Sequence, residues 1–248
     1  VGIKTWIRAA VDFAIPNSCA ACRDSSEASG PLCENCFARL EALRDAPACG
    51  RCSAPLVYAD APCAQCRNKG IRPFERIISL SLFEEPIRSM VHDIKYHQCW
   101  PLAEYLADLL VETERAKAML TETQVLVPVP LHPLRQLTRG YNQAALIAGQ
   151  IHKRCKIKRL DAVARVRHTK TQTHMSSATK RWNNLKDAFA LKTDKGIRGK
   201  HVVLVDDVMT TGATLRSAAR ALRVGKPASI SAIVLAVADG RGRHFQSV

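Results

Sequence analysis

Eight of the ten cysteines fall in four Cys-x-x-Cys pairs, Cys19/Cys22, Cys33/Cys36, Cys49/Cys52 and Cys63/Cys66. No other feature restricts the fold as tightly. The third and fourth pairs repeat the first and second at an offset of 30 residues, so each half reads Cys-x2-Cys-x10-Cys-x2-Cys. Two residues between thiols let one tight turn bring both sulfurs to a metal, and two such turns complete a tetrahedron of four thiolates, the ligand set of a structural zinc. Asn35 and Gly50 place turn-tolerant residues inside two of these loops. Structural disulfides require an oxidising compartment, and redox Cys-x-x-Cys pairs usually come singly beside a βαβ unit. Two zinc ions are therefore expected, structural because four thiolates leave no position open to substrate. Spacing leaves two pairings open: sequential ribbons (19/22/33/36 with 49/52/63/66), or a cross-braced arrangement joining first to third and second to fourth. Cys99 and Cys155 lie outside the framework and receive no role.

Hydrophobic residues make up 47% of the 248 positions and charged residues 24%, a globular composition. No apolar run is long enough to cross a hydrocarbon core of about 30 Å, so an integral membrane protein is not expected. Residues 1–15 place Ile3, Trp6, Ile7, Ala10, Val11 and Ala14 on one helical face. Lys4, Arg8 and Asp12 interrupt that stretch, which lacks the apolar block of a signal peptide. A cytoplasmic location is expected. The net charge of +15 is unevenly spread: residues 131–200 hold 17 basic and 3 acidic residues, a net +14, whereas residues 1–130 are nearly neutral. Such a stretch is either a solvated basic face or the footprint of a polyanion.

After Cys66 the pattern alternates between strands and helices. Strands are predicted over 76–83, 125–130, 202–206 and 229–237. Helices are predicted from Pro86 (Ile87, Met90, Val91 and Ile94 on one face), over 101–119, over 141–152 and over 213–223. Uninterrupted apolar strands alternating with helices indicate a mostly parallel sheet covered on both faces. Such sheets bind ligands beyond the carboxyl ends of their strands. There, VVLVDDVMTTGAT (202–214) runs from a strand through Asp206-Asp207 into a Thr/Gly loop that opens a helix. The loop N–H groups and helix N-terminus form an anion nest, Gly212 allows a phosphate to approach, and Thr210, Thr211 and Thr214 offer hydroxyls. Two adjacent carboxylates beside a phosphate nest suit vicinal hydroxyls or hydrated Mg²⁺. No lysine occupies the loop, which separates it from the nucleoside triphosphatase P-loop.

This run resembles the phosphoribosyl-pyrophosphate (PRPP) signature of type I phosphoribosyltransferases. The four cysteine pairs, IRSMVHDIKYH (87–97), LVPVPLHPLRQLTRGYNQA (126–144) and RVRHTKTQTHMSSATKRWNNLKDAF (165–189) resemble one branch of them, the ComF family of competence and DNA-uptake proteins with its GntX-like relatives. The resemblance extends from about Cys19 to Ala238. It implies an α/β fold: a type I phosphoribosyltransferase-like, mostly parallel sheet with helices on both faces, preceded by a small zinc-ribbon domain with four-cysteine metal sites. The implied division is 1–72, N-terminal helix and double ribbon, and 73–248, phosphoribosyltransferase-like domain. It further implies that Asp206 and Asp207 bind the ribose hydroxyls of Mg²⁺-PRPP. Val208, Met209, Thr210, Thr211, Gly212, Ala213 and Thr214 would cradle the 5′-phosphate. Leu131, His132, Arg135 and Arg139 would form the pyrophosphate loop, where guanidinium forks match a diphosphate. Residues 165–181, with Arg165, Arg167, Lys170, Gln172 and Arg181, would form a loop closing over the site.

Two functions from different classes follow. One is a protein that binds PRPP and handles single-stranded DNA during uptake, in possible contact with the uptake machinery, its strand tracked by Arg165, Arg167, Arg181 and Lys186. Tyr141 and Trp182 would be available for base stacking, or else be ordinary packing residues. The other is a true transferase moving phosphoribose from PRPP to a base or amine, with Mg²⁺ and arginines stabilising the departing pyrophosphate. Thr210 stands where purine-salvage enzymes carry an acidic residue, and no carboxylate lies between Asp207 and Asp239. A general base for a purine is thus not visible, although orotate-type enzymes also have a threonine there.

Overall fold

The computed structural model describes residues 18–24, 30–67, 70–131, 136, 140–166 and 188–238. The helix expected over 1–15 lies outside them, as do His132, Arg135, Arg139, Arg167, Lys170, Gln172, Arg181, Trp182 and Lys186. The elements in chain order are α1 (Glu34–Asp45), β1 (Ile77–Leu82), α2 (Ile87–Tyr96), α3 (Trp100–Glu112), α4 (Glu114–Glu122), β2 (Val125–Pro128), α5 (Gln143–Cys155), β3 (Lys158–Arg159), β4 (Val163–Arg165), β5 (Phe189–Leu191), β6 (His201–Met209), α6 (Ala213–Arg223) and β7 (Ser229–Val237). No helix among the described residues is long and apolar enough to cross a membrane.

Five strands form one parallel sheet in the order β1-β7-β6-β2-β3. Apolar residues run along both faces because both are covered. In β6, Val203 and Val205 join the cluster built with α2 to α5, whereas Val202 and Leu204 join the one built with α6. Strand side chains alternate faces with a period of two, so one apolar run serves two cores. On the first face, Leu102, Leu106 and Leu110 of α3 are fully buried, each contributing about 1.5–3 kcal/mol. On the second, β4 and β5 pair antiparallel and pack with α6.

The predicted helix over 101–119 is two helices. Thr113 takes an extended backbone and its side chain accepts a hydrogen bond from Ala116 N–H, capping α4. Apolar periodicity runs on across this break, so periodicity alone could not reveal it. The strand predicted to end at 206 extends to Met209, because β7 pairs with it through Met209↔Val237. Asp206 and Asp207 therefore lie inside β6.

Past α6, the chain turns through Gly225 against the fully buried Ile197. A Cβ at Gly225 would collide with Ile197 Cδ1. Gly225→Ala is expected to destabilise the protein by about 1–3 kcal/mol through overpacking, as read by chemical denaturation. An unaltered denaturation midpoint would show that this corner can relax.

Candidate functional site

The cysteine pairs build two clusters, Cys19/Cys22/Cys33/Cys36 and Cys49/Cys52/Cys63/Cys66, with the sulfurs of each set within 4.8 Å of one another. The pairing is sequential. Separations of 3.8 Å for Cys22–Cys33, 3.8 Å for Cys49–Cys66 and 3.6 Å for Cys52–Cys63 match the roughly 3.8 Å edge of a tetrahedron with Zn–S bonds of about 2.3 Å. In every pair the N–H four residues on from the first cysteine donates to that cysteine's carbonyl: Arg23 to Cys19, Phe37 to Cys33, Ser53 to Cys49, and Arg67 to Cys63. Arg23, Ser53 and Arg67 follow the second cysteine of three pairs and hold φ of 67°, 56° and 48°. Non-glycine residues take that conformation at a cost of about 1–2 kcal/mol each, sustained here by the turn that aims both sulfurs inward. The remaining pair opens α1 instead. Burial opposes the Cys19 thiolate, but N–H groups of Cys33, Cys22 and Ala21 outweigh it and lower the pKa to about 6. The zinc is structural.

Both ribbons are joined to the sheet. The second covers the exposed edge of β1: Ile77 N–H donates to Arg51 O, Ser53 Oγ donates to Ile77 O at 2.8 Å, and Ser79 N–H donates to Ser53 Oγ. That protects an edge otherwise open to pairing with another chain. The first shares its core with the helices, Cys19, Ala20, Leu32 and Leu40 being buried against them. Arg23 also reaches from its knuckle to Asp93 of α2 at 2.7 Å. Asp93 is buried, and its hydrogen bonds with Arg23 and His97 hold its carboxyl below the usual range despite that burial.

The loop read from the sequence as an anion nest lies at the carboxyl end of β6, a central strand. Gly212, the N-cap of α6, adopts φ 70°, a left-handed conformation that favours glycine. This N-cap supplies no side chain over the first-turn N–H groups, and the first turn carries no acidic residue. Ala213 N–H lies 3.4 Å from Thr211 Oγ1, and Arg216 braces the loop by donating to Thr211 O. Burial lowers the Arg216 pKa from its ordinary value. Thr210, Thr211 and Thr214 are partly exposed at the mouth, with Met209, Gly212 and Ala213 buried beneath.

Asp207 is held at both oxygens. Oδ1 accepts from Val208 N–H at 2.6 Å, and Oδ2 meets Lys95 Nζ of α2 at 2.9 Å. Asp206 accepts from Asp207 N–H. Its pKa is pushed up to about 7, first by burial and then by the neighbouring Asp207 charge, with Asp207 N–H, Lys95 and Arg165 pulling the other way.

Leu131 follows β2, which pairs with β6 up to Pro128↔Val205, and Val129 N–H donates to Val205 O. At Leu131 the chain thus leaves the sheet near the acidic pair, and His132, Arg135 and Arg139 lie outside the described residues. Arg165 sits in β4, partly buried, with its guanidinium 5.4 Å from the Phe189 ring centre. Tyr141 is partly buried against the core and donates to Ile94 O, which makes it a packing residue here. Part of the basic excess is balanced by acids from elsewhere in the chain: Lys153 pairs with Glu104, and Arg154 with Asp108 and Glu112 of α3.

Sequence reasoning did not assign Lys95 or Asn142. Asn142 caps α5 and donates to Val129 O, binding the two sides of the 131–140 loop together. An asparagine opening an apolar helix was a legible cap signal. Nothing in the spacing of Lys95 marked it.

Residues 10–67 match the double zinc ribbon domain family and residues 141–246 the phosphoribosyl transferase domain family. Competence protein F of Haemophilus influenzae is 33% identical over 211 residues, covering 83% of this chain and 90% of that protein. The DNA utilization protein YhgH of Escherichia coli O6:H1 is 31% identical over 214 residues, covering 84% and 91%. Among solved structures, glutamine PRPP amidotransferase from B. subtilis overlaps 54% of this chain and 25% of its own at 20% identity and a TM-score of 0.35, a likeness too remote to argue from.

Proposed function

Because the chain belongs to the ComF family, we propose that it binds Mg²⁺-PRPP at Asp206–Thr214 and handles single-stranded DNA in the cytoplasm during DNA uptake. The ligand reading rests on one observation: a carboxylate pair, a left-handed glycine and an open helix N-terminus follow one another at the end of a central parallel strand. The nest suits the 5′-phosphate, the acidic pair the ribose hydroxyls. Mg²⁺ would enter with the diphosphate and offset its charge, while Arg135 and Arg139 would supply guanidinium forks from the loop after β2.

The DNA reading is supported by the basic stretch and by the relatives' names, which refer to competence and DNA utilization. Lys153 and Arg154 pair with α3, and the strand would be tracked by Arg165, Arg167, Arg181 and Lys186. Arg165 also lies close enough to act on Asp206, so DNA and PRPP are expected to compete.

Affinity for single strands should fall steeply with salt. Five neutralised phosphates give a slope of log K against log[salt] near −3.5, or about a 130-fold loss between 50 and 200 mM. Glutamines at the four basic positions should flatten that slope without changing zinc content. A slope near zero in the unaltered protein would leave the stretch a solvated face. Pyrophosphate release from PRPP with a panel of bases, measured alongside, would bring the transferase reading forward.

A further inference from the structure

Lys95 projects from the last turn of α2 onto Asp207, with Nζ 2.9 Å from Oδ2, and its side chain is only 22% exposed against 16% for Asp207. The helix is fixed on both sides of this residue. Ile87, Met90, Val91 and Ile94 are buried in the core, Ile94 O accepts from Tyr141, and Asp93 is clamped by Arg23 of the first zinc knuckle. The ammonium is therefore delivered to the acidic pair by a braced helix, not by a mobile loop.

We propose that Lys95 is a specificity-determining residue of the sugar-phosphate site, the built-in cation that lets the Asp206–Asp207 pair accept an anionic sugar without a divalent metal on the carboxylates. The proposal rests on the PRPP reading of 206–214. Two carboxylates on consecutive residues repel an incoming phosphate monoester and attract Mg²⁺. One ammonium in contact cancels most of the charge of Asp207, because a close, half-buried pair is weakly screened. The Lys95 contact also fixes the direction of Asp207, whose other oxygen is held by Val208 N–H. The raised pKa of Asp206 agrees with a pair that avoids carrying two full charges. Mg²⁺ would then be recruited by the diphosphate of PRPP, not by the protein.

Ribose 5-phosphate isolates this role because it carries the sugar and the 5′-phosphate but no diphosphate. Calorimetry should be run with Mg²⁺ absent and at millimolar Mg²⁺, without chelator, so that zinc stays bound. The unaltered protein should bind ribose 5-phosphate with affinities within about threefold in the two conditions. Lys95→Met keeps the length and apolar stem of the side chain. It should lose roughly tenfold or more without Mg²⁺ and recover most of that loss when Mg²⁺ is added. Lys95→Arg keeps the charge and should remain within about threefold of the unaltered protein in both conditions. Zinc content and thermal unfolding report whether each variant is folded.

If the unaltered protein binds but Lys95→Met binds equally well in both conditions, or loses affinity that Mg²⁺ does not restore, Lys95 is only a packing or positioning residue and the proposal falls. A Lys95→Arg variant that behaves like Lys95→Met overturns it as well, since charge would then not be the cause. If the unaltered protein binds neither ribose 5-phosphate nor PRPP, the site assignment itself has failed and this proposal falls with it.

Discussion

Replacing Cys52 by alanine should lower the zinc content from two ions per chain to one and unfold the second ribbon. Cys52 is fully buried, and the only core of that ribbon among the described residues is Cys49, Cys52, Ala54, Cys63 and Cys66, with Leu56 and Ile71 against them. A cluster that small cannot offset the entropy of ordering its loops, so the metal is the core. Apparent binding free energies for structural zinc are about 10–16 kcal/mol and act directly as folding free energy. The effect should spread. With the knuckle lost, the Ser53 and Arg51 bonds to Ile77 and Ser79 go too, exposing the edge of β1. Aggregation on warming is the expected consequence. Metal analysis, hydrogen exchange at Ile77 and Ser79, and light scattering would test this together. Two zincs retained with protection unchanged at β1 would refute it, as would protein isolated with the eight cysteines in disulfides.

Replacing both Asp206 and Asp207 by alanine should abolish measurable PRPP binding while leaving the fold and both zincs in place. The bond to ionised Asp207 is worth about 1.5–3 kcal/mol and the bond to the partly protonated Asp206 about 0.5–1.5 kcal/mol, together about one to three orders of magnitude in affinity. The single asparagine variants should differ. Asp207 is the ionised partner of Lys95, so Asp207→Asn breaks an ion pair and leaves the ammonium half-buried without its anion. Asp206, raised to about 7, already spends much of its time protonated at neutral pH, and Asp206→Asn imitates that state. The milder loss is expected there.

The same shift has a consequence for stability. The folded protein holds a proton on Asp206 that the unfolded chain releases near pH 4. Stability contributed by this group therefore declines as pH rises from about 4 to about 7 and is level above that. Asp206→Asn should stabilise the free protein most above pH 7, by at most a few kcal/mol, and little near pH 4. Denaturation midpoints at pH 4.5 and 8 would show it. An equal effect at both values would mean that Asp206 is ionised throughout, like an ordinary surface carboxylate.

The eight zinc ligands were legible in the sequence because ligand spacing is a local property. Two residues between thiols dictate a turn, and the turn dictates where the sulfurs point. The helix over Ala213–Arg223 and the strand over Ser229–Val237 were also legible, since one is strongly amphipathic and the other a continuous apolar run bounded by polar residues. The nest between β6 and α6 follows from a glycine before a helix that has no acidic first turn. Each of these signals is contained within a dozen residues.

What tertiary structure decided are the choices among distant partners. Sequential and cross-braced ribbons satisfy the same spacing, and only the folded positions of the sulfurs separate them. The break at Thr113 is invisible to periodicity, because Leu110 and Ala116 are both buried. The basic excess looked like one surface until α5 brought Lys153 and Arg154 against the acids of α3. Lys95 stands 112 positions before Asp207 in the chain, and nothing near either residue announces the other. Charge, unlike backbone hydrogen bonding, acts through space without regard to sequence distance. The counter-ion of the acidic pair therefore depended on which helix the sheet brought beside it.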